Sequence, residues 1–516
     1  MSIYGFKRAA PLLLCLAALL PPAAAAAASW PQQQADATSA DQTSGLLSGL
    51  PASSVTVLLF EWSWADVAQE CEEFLGPAGY KAVQVSPPQE DVPEDAWWSR
   101  YQPVSYKLVS RSGSAAEFAD MVRRCTAVGV EVVVDAVLNH MANRQGGGRG
   151  RAGTPIGPGC RRFPEMYSAC ADFHHYDADC CNNCQVDSDT DLWRIQNCDL
   201  GLPDLATGSP YVQQQLAAYL RSLADLNVTG IRVDAAKHIP AADLAAIARQ
   251  AGRPLWFNLE VNIPAWAPCA VDLRDYCPLG RVWEFKLPAL VSAAFKPADR
   301  RLDLLAQANH DLLVSGSSRQ GAVTYLDGQL YPLALTFLLA HPYGQPVVLS
   351  SLNIAGQLGP SGDYSGAPVD PATGRLLPVH GPGGELNCGA GKPYLCEHRW
   401  PAVSGMLAWR RVAGDTPLSL LQTLSSNAAL ALARGTDGRS RAFVLINAAW
   451  RPGGQLRARL QTGLPPGAYC HVLQPDGCTS PVVVGPEGTA DFDVPLLSAV
   501  ALHIEALAPA AQAEVV

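Results

Sequence analysis

Four carboxylates follow β-branched or apolar runs: Asp135 ends VVVD, Asp234 ends IRVD, Glu260 ends FNLE, and Asp311 follows LDLLAQANH. Asp234 and Glu260 lie 26 residues apart. That is room for one helix and one strand, so the two can top neighbouring parallel strands with their carboxyl groups converging. Such a pair suits glycoside cleavage. In a retaining mechanism one carboxylate attacks the sugar carbon and the other protonates the departing oxygen, across about 5 Å. Arg232, two residues before Asp234, points to the same side of the strand and favours an ionised nucleophile. Glu260 sits between Leu259 and Val261, a drier setting that favours the protonated acid. Spacing alone equally admits buried acids paired with Arg or Lys inside a sheet layer.

The elements that must carry these residues alternate. Strand patterns at 55–60, 81–86, 130–140, 230–235 and 254–261 are separated by helical stretches at 64–75, 115–128, 211–225 and 241–250, the order of parallel βαβ units. The pattern breaks over 141–204, a stretch rich in Gly, Cys, Asp and Asn, and after about 415 it gives way to short strands with turn residues. This implies an α/β chain: a (β/α)₈ TIM barrel over 53–140 and 205–415, a loop-rich inserted domain after the third strand at 141–204, and a C-terminal all-β sandwich over 416–516. Active groups of such barrels stand at the C-terminal ends of the strands, where the four acids fall.

Composition supports a large globular enzyme. Of 516 residues, 48% are apolar and 16% charged, enough for a substantial core. The net charge of −10 disfavours nucleic acid and fits a neutral ligand. Lys7 and Arg8, the apolar run 9–20 and the alanines at 23–28 have the order of a secretory signal peptide over 1–28, more so than of a plastid transit peptide. A Gln/Ser/Ala/Thr-rich linker follows over 29–52. No later stretch has the length and apolarity of a membrane span, so a secreted protein is expected. Cys15 falls in the signal, leaving an even number of cysteines. Close spacing suggests local disulfides between Cys160 and Cys170, Cys269 and Cys277, Cys388 and Cys396, and Cys470 and Cys478. The cluster Cys180, Cys181, Cys184 and Cys198 fits disulfides better than a zinc site in an oxidising compartment.

The segments DAVLNH (135–140), GIRVDAAKH (230–238), FNLEV (257–261) and NHD (309–311) resemble the four ordered signature regions of the α-amylase family. LFEWSWADVAQECEEFLGPAGYKAVQVSPPQE, WWSRYQPVSYKL, LAHPYG and CEHRW are similar to the animal-type members, and the likeness runs from about Val55 past Trp400. It implies Asp234 as nucleophile, Glu260 as general acid/base and Asp311 as the third carboxylate, with His140, His310 and Arg232 around the same sugar. Trp97, Trp98 and Tyr101 match the aromatic platform, Gln102 a polar neighbour, and Lys237 with His238 the leaving-group side. Asn139 and Asp204 match calcium ligands, joined by the backbone carbonyls of His238 and a residue near Gln196; oxygen donors from distant segments suit Ca²⁺. The bland reading of Asn139 and Asp204 is turn capping.

The fourth region departs from the family pattern: Ala308 precedes NHD where an Asp is usual, and Leu312 and Leu313 follow where an Arg is usual. Spacing to LYPLA and LAHPYG keeps Asp311 ahead of Asp303 or Asp327. Animal-type members bind an activating chloride through two arginines and an asparagine. Arg232 and Asn309 match two of these, but Asn353 replaces the second arginine, so chloride dependence is not expected. The resemblance thus implies a monomeric, secreted, calcium-dependent, endo-acting enzyme on starch, glycogen or maltooligosaccharides. A transglycosylase or exo-acting relative, and a non-catalytic glucan-binding protein, stay open alternatives.

Overall fold

The computed structural model describes residues 49–159, 162–174, 184–264, 267–296, 300–306, 318–320, 330–353, 366–370, 372–424, 427–474 and 478–509. The expected signal peptide, most of the linker, Cys160, Cys180, Cys181, Asn309, His310 and Asp311 lie outside them.

Eight parallel strands close into a barrel: β1 (Thr56–Leu59), β2 (Ala82–Val85), β3 (Glu131–Val137), β4 (Gly230–Asp234), β5 (Trp256–Leu259), β6 (Arg281–Glu284), β7 (Ser318–Gln320) and β8 (Gln345–Ser350). They neighbour one another in chain order, and β1 pairs with both β2 and β8 to seal the ring. Residues of β1, β2, β4 and β5 are buried throughout, as parallel strands covered on both faces must be. Gly230 opens β4 because a Cβ there would stand 2.5 Å from the Trp256 indole.

Register sets the chemistry. Asp135 on β3 pairs with Arg232 on β4, and Val137 with Asp234, so these polar side chains share one end of the barrel. The N–H of Glu260 donates to Val233 at 3.1 Å, extending the β4–β5 pairing one residue past Leu259. The strand expected over 130–140 ends at Val137. Beyond it the chain turns to the inserted segment, where His140 bridges Asp204 and the Leu205 N–H reaches the Asn139 carbonyl at 2.9 Å.

The helix Ala115–Ala127 begins at a reciprocal Ser114–Glu117 capping box, and Pro210 and Pro401 open the helices Pro210–Ala224 and Pro401–Ala413. The helix expected over 64–75 is α-helical only over Trp64–Glu70 and widens into a π turn over Cys71–Leu75. Between β3 and the helix Pro210–Ala224 lie a two-stranded ribbon (Gly148–Arg149 with Pro155–Ile156) and a short helix, Leu192–Asn197.

After the helix Pro401–Ala413 come two four-stranded antiparallel sheets. The first runs Leu418–Leu424, Ala429–Thr436, Arg439–Asn447, Ser498–His503; the second runs Leu456–Gln461, Thr489–Val494, Val482–Val484, Gly467–Tyr469. Phe443 and Phe492 stack between the sheets at 5.3 Å. The Trp409 indole N–H donates to the Phe443 carbonyl at 3.0 Å, fastening the sandwich to the preceding helix.

Cys388–Cys396 and Cys470–Cys478 are joined as their spacing suggests. Cys184–Cys198 is a disulfide, which removes both thiolates from any zinc site, and Cys170 is disulfide-bonded. Cys71–Cys125 escaped notice because its partners are 54 residues apart. The expected Cys269–Cys277 bridge is a correction, since both thiols are free. The segment beside Cys269 is drawn to the inserted region through the Ala270 N–H and the Asp189 carbonyl (2.7 Å), while Cys277 closes its own turn onto Leu273.

Candidate active site

Arg232 is the hub at the C-terminal end of the barrel. Its Nη1 contacts Asp135 Oδ1 at 2.6 Å and Asp234 Oδ1 at 2.7 Å, and its Nη2 contacts Glu260 Oε2 at 2.6 Å. The guanidinium lies over the Trp283 ring at 4.4 Å, a face that stabilises a cation without neutralising it. Asp234 and Glu260 are 4% and 5% exposed. Each offers one oxygen, Asp234 Oδ2 and Glu260 Oε1, with no hydrogen-bond partner among the described residues. Two carboxylates held by adjacent nitrogens of one guanidinium, each with a spare oxygen, have the proximity that nucleophile and proton donor need in a retaining displacement.

One cation shared by three buried carboxylates reverses part of the expectation for Asp234. Burial, followed by the pull of Arg232 and the repulsion of Glu260 and Asp135, leaves the Asp234 carboxyl pushed up to about 8 rather than held low by its arginine. Asp135 is raised too, burial again leading, with Arg232 and the Tyr101 hydroxyl opposing. Asp234 and Asp135, both raised by burial while sharing one guanidinium, titrate as a pair rather than as independent groups.

The aromatic residues stand on the 3₁₀ helix Trp97–Tyr101. Tyr101 donates its hydroxyl to Asp135 Oδ2 at 2.9 Å, tying this wall to the acids. Trp97 is buried against Phe60 and Tyr101, more core than platform, while Trp98 is partly exposed. Gln102 accepts the Asn143 N–H at 3.0 Å. His140 donates from Nε2 to the Tyr101 carbonyl at 2.9 Å, and burial pushes its pKa down to about 4. The ring is therefore neutral, with Nδ1 a bare acceptor among the described residues.

Past Asp234 the chain turns sharply at Ala235, whose N–H donates to Glu260 Oε2 at 3.0 Å. The Lys237 N–H then reaches the Glu260 carbonyl at 3.2 Å, and its ammonium pairs with Asp189. His238, also pushed down to about 4 by burial, donates from Nδ1 to Ile195 at 2.8 Å. Asp135, Trp283, Ala235 and Asp189 thus join the site. Asp135 ends the VVVD run within β3, a signal visible in the sequence, and Trp283 lies next to the end of β6; the other two are placed by the turn and the inserted segment.

For calcium, Asn139 and Asp204 are buried side by side, the amide donating to Asp204 Oδ1 at 2.9 Å and His174 Nδ1 contacting Oδ2 at 2.7 Å. The Gln196 side chain turns to Tyr276 at 3.3 Å, leaving its carbonyl as the possible ligand, and His238 meets the same short helix at Ile195. Among the described residues no three His, Cys, Asp or Glu side chains converge as a metal cluster. The donors at hand are amide, carboxylate and carbonyl oxygens, which fit a hard cation. Asn353 donates to the Lys392 carbonyl at 2.9 Å.

Residues 73–255 match the family described as the α-amylase catalytic domain. Pancreatic α-amylase 2a5 of Mus musculus is 36% identical over 485 residues, covering 85% of this chain and 91% of that protein. The α-amylase of Thermomonospora curvata is 38% identical over 490 residues, covering 88% and 73%. Among solved structures, α-amylase I of Eisenia fetida superposes with a TM-score of 0.76 at 30% identity, over 88% of this chain and 98% of that one. A γ-CGTase of Bacillus clarkii, at 16% identity and a TM-score of 0.62, shares the fold. With relatives this similar over most of both lengths, and a barrel whose signature acids meet on one arginine, the chain belongs to the α-amylase family of glycoside hydrolases.

Proposed function

We propose that this chain is a secreted, endo-acting α-amylase that hydrolyses internal α-1,4 bonds of starch, glycogen and maltooligosaccharides with retention. The observation that carries this is Arg232 binding Asp234 and Glu260 together, with Asp234 Oδ2 and Glu260 Oε1 left to a ligand. With Asp234 ionised and the proton carried by Glu260, Asp234 Oδ2 attacks the anomeric carbon as the bond to the glycosidic oxygen breaks, and Glu260 gives that oxygen its proton. Glu260 then takes a proton from water, whose oxygen displaces Asp234 and restores the original configuration. His140 Nδ1 accepts a sugar hydroxyl, Trp98 offers an aromatic face, and Arg232 balances charge between the acids. Asp311 and His310 complete this reading as the third carboxylate and its neighbour, on residues outside those described.

A calcium ion held by Asn139, Asp204 and the carbonyls of Gln196 and His238 would serve structurally, pinning the inserted segment to β3. An anion is not required. The protein works as a monomer.

Digestion of soluble starch tests the reading. An early spread of oligosaccharides, all released as the α-anomer, is expected. A single small product from chain ends would favour exo action, transfer without new reducing ends a transglycosylase, and no release at all a glucan-binding protein.

A further inference from the structure

Glu61 stands two residues past the end of β1, fully buried, in a left-handed backbone (φ 61°) that residues other than glycine rarely adopt. Its N–H donates to Ser86 Oγ at 3.0 Å, just past β2, which fixes that conformation from the neighbouring strand. The carboxylate faces two buried guanidiniums: Glu61 Oε2 lies 2.9 Å from Arg111 Nε and 3.4 Å from Arg100 Nη1. Among the described residues no other carboxylate pairs with either arginine; Asp91, which accepts from Ser99 Oγ at 3.3 Å, is paired with Arg151 at 3.1 Å. Both arginines act on the wall of the site. Arg100 belongs to the 3₁₀ helix Trp97–Tyr101 and donates from Nε to the Pro87 carbonyl at 3.1 Å and from Nη1 to Ser112 Oγ at 2.9 Å. Arg111 donates from Nη2 to the Ala96 carbonyl at 2.7 Å and to Ser99 Oγ at 3.0 Å, holding the same helix at its start and middle.

We propose that Glu61 is a positioning residue for hydrolysis: through Arg100 and Arg111 it sets the helix Trp97–Tyr101 so that the Tyr101 hydroxyl meets Asp135 in the acid cluster. The proposal rests on the hydrolase reading above. A buried carboxylate between buried guanidiniums loses about as much in desolvation as it gains in attraction, so the trio adds little stability that apolar packing could not. What it supplies is direction, because each guanidinium fork is oriented by the carboxylate at one side and spends its other donors on the wall. Asp135 is faced by Arg232, Asp234, Glu260 and Tyr101. The first three stand on β4 and just past β5; Tyr101 comes from the helix that the trio holds. Its 2.9 Å hydroxyl bond to Asp135 Oδ2 is therefore the contact through which Glu61 reaches the acids.

The test measures kcat and KM on soluble starch against pH for the full-length enzyme, Glu61→Gln, Tyr101→Phe and the double variant. Glu61→Gln removes the charge and keeps the shape. It should lower kcat/KM about tenfold, chiefly through kcat, and move the acidic limb to higher pH, as Tyr101→Phe should. The double variant should show no shift beyond that of Tyr101→Phe, because both changes act through one bond. Arg111→Lys keeps a charge facing Glu61 but loses the fork on Ala96 and Ser99; it should move the limb the same way, and it carries the comparison if Glu61→Gln does not fold. A limb left in place in an active variant, however far its melting temperature falls, would mean a structural strut and overturn the proposal. Additive shifts in the double variant would show that Glu61 does not act through Tyr101, and would overturn it too. A wild type inert on starch overturns the hydrolase reading, and this inference with it.

Discussion

Ala235 holds Glu260 from a left-handed backbone: its N–H donates to Glu260 Oε2 at 3.0 Å while its own φ is 51°. An L-residue there is strained, and the contacts of Lys237 and His238 on either wall keep the turn in place. Ala235→Val, branched at Cβ, should therefore lower stability by about 1–3 kcal/mol and reduce kcat. Ala235→Gly fits the conformation and should retain more of both. Thermal melts and starch kinetics check this; equal kcat for the two variants would show that the turn does not position Glu260.

Asp234→Asn should abolish turnover, by at least about a thousandfold, since no carboxylate remains to form the covalent intermediate. It should also stabilise the protein. With the Asp234 carboxyl raised to about 8, the coupled Asp234–Asp135 pair keeps a proton that the unfolded chain releases near pH 4, so the native state loses stability as pH rises from about 4 to 8. Asn carries no such penalty. The variant's melting temperature should exceed that of the wild type by about 2 °C or more near pH 8, with the gap closing by pH 4. A constant gap across that range would place the proton elsewhere.

The sequence reveals the barrel because β-branched runs and helical periods alternate over most of its circuit, and it reveals Asp234 and Glu260 because each stands at a strand end, and Arg232 because it lies two residues before Asp234 on the same face of that strand. Strand ends are local features. The sharing of Arg232 by Asp135 as well is a matter of register between β3 and β4, and it overturns the simple expectation of a low-lying Asp234. The Asp189–Lys237 pair joins residues 48 apart through a segment without periodicity, and the free Cys269 and Cys277 show that close spacing cannot tell whether neighbouring backbone is pulled aside.

Tyr101→Phe removes the hydroxyl that donates to Asp135 Oδ2, one of the contacts keeping that buried carboxyl from rising further. Proton affinity of the acid cluster should increase. The acidic limb of the kcat/KM profile should move to higher pH, with a loss at the optimum of about tenfold for one charge-assisted bond. An unshifted limb would uncouple Asp135 from the catalytic proton.

Excess chelator should lower the melting temperature first and starch activity second, because a cation bound only by the native state stabilises it by mass action. Asp204→Asn should reduce the chelator-sensitive part of stability, since it removes the one carboxylate among the proposed ligands. An identical melt with and without chelator, together with no calcium by elemental analysis, would refute the site.

Chloride should make little difference to this enzyme. An anion buried beside acids needs cations to offset its desolvation, and Arg232 already divides its charge among Asp135, Asp234 and Glu260. By the resemblance, Asn353 stands where the animal-type pattern has a second arginine; it is neutral and donates to the Lys392 carbonyl at 2.9 Å. A full positive charge is therefore missing from any anion shell, while the acids keep a proton through burial and mutual repulsion without an anion's help. After dialysis into a non-coordinating anion, kcat and its pH profile should stay within about twofold of their values in chloride, a change of less than about 0.5 kcal/mol in barrier. Asn353→Arg should introduce chloride activation. Several-fold activation of the wild type by millimolar chloride would show that another basic residue supplies the missing charge.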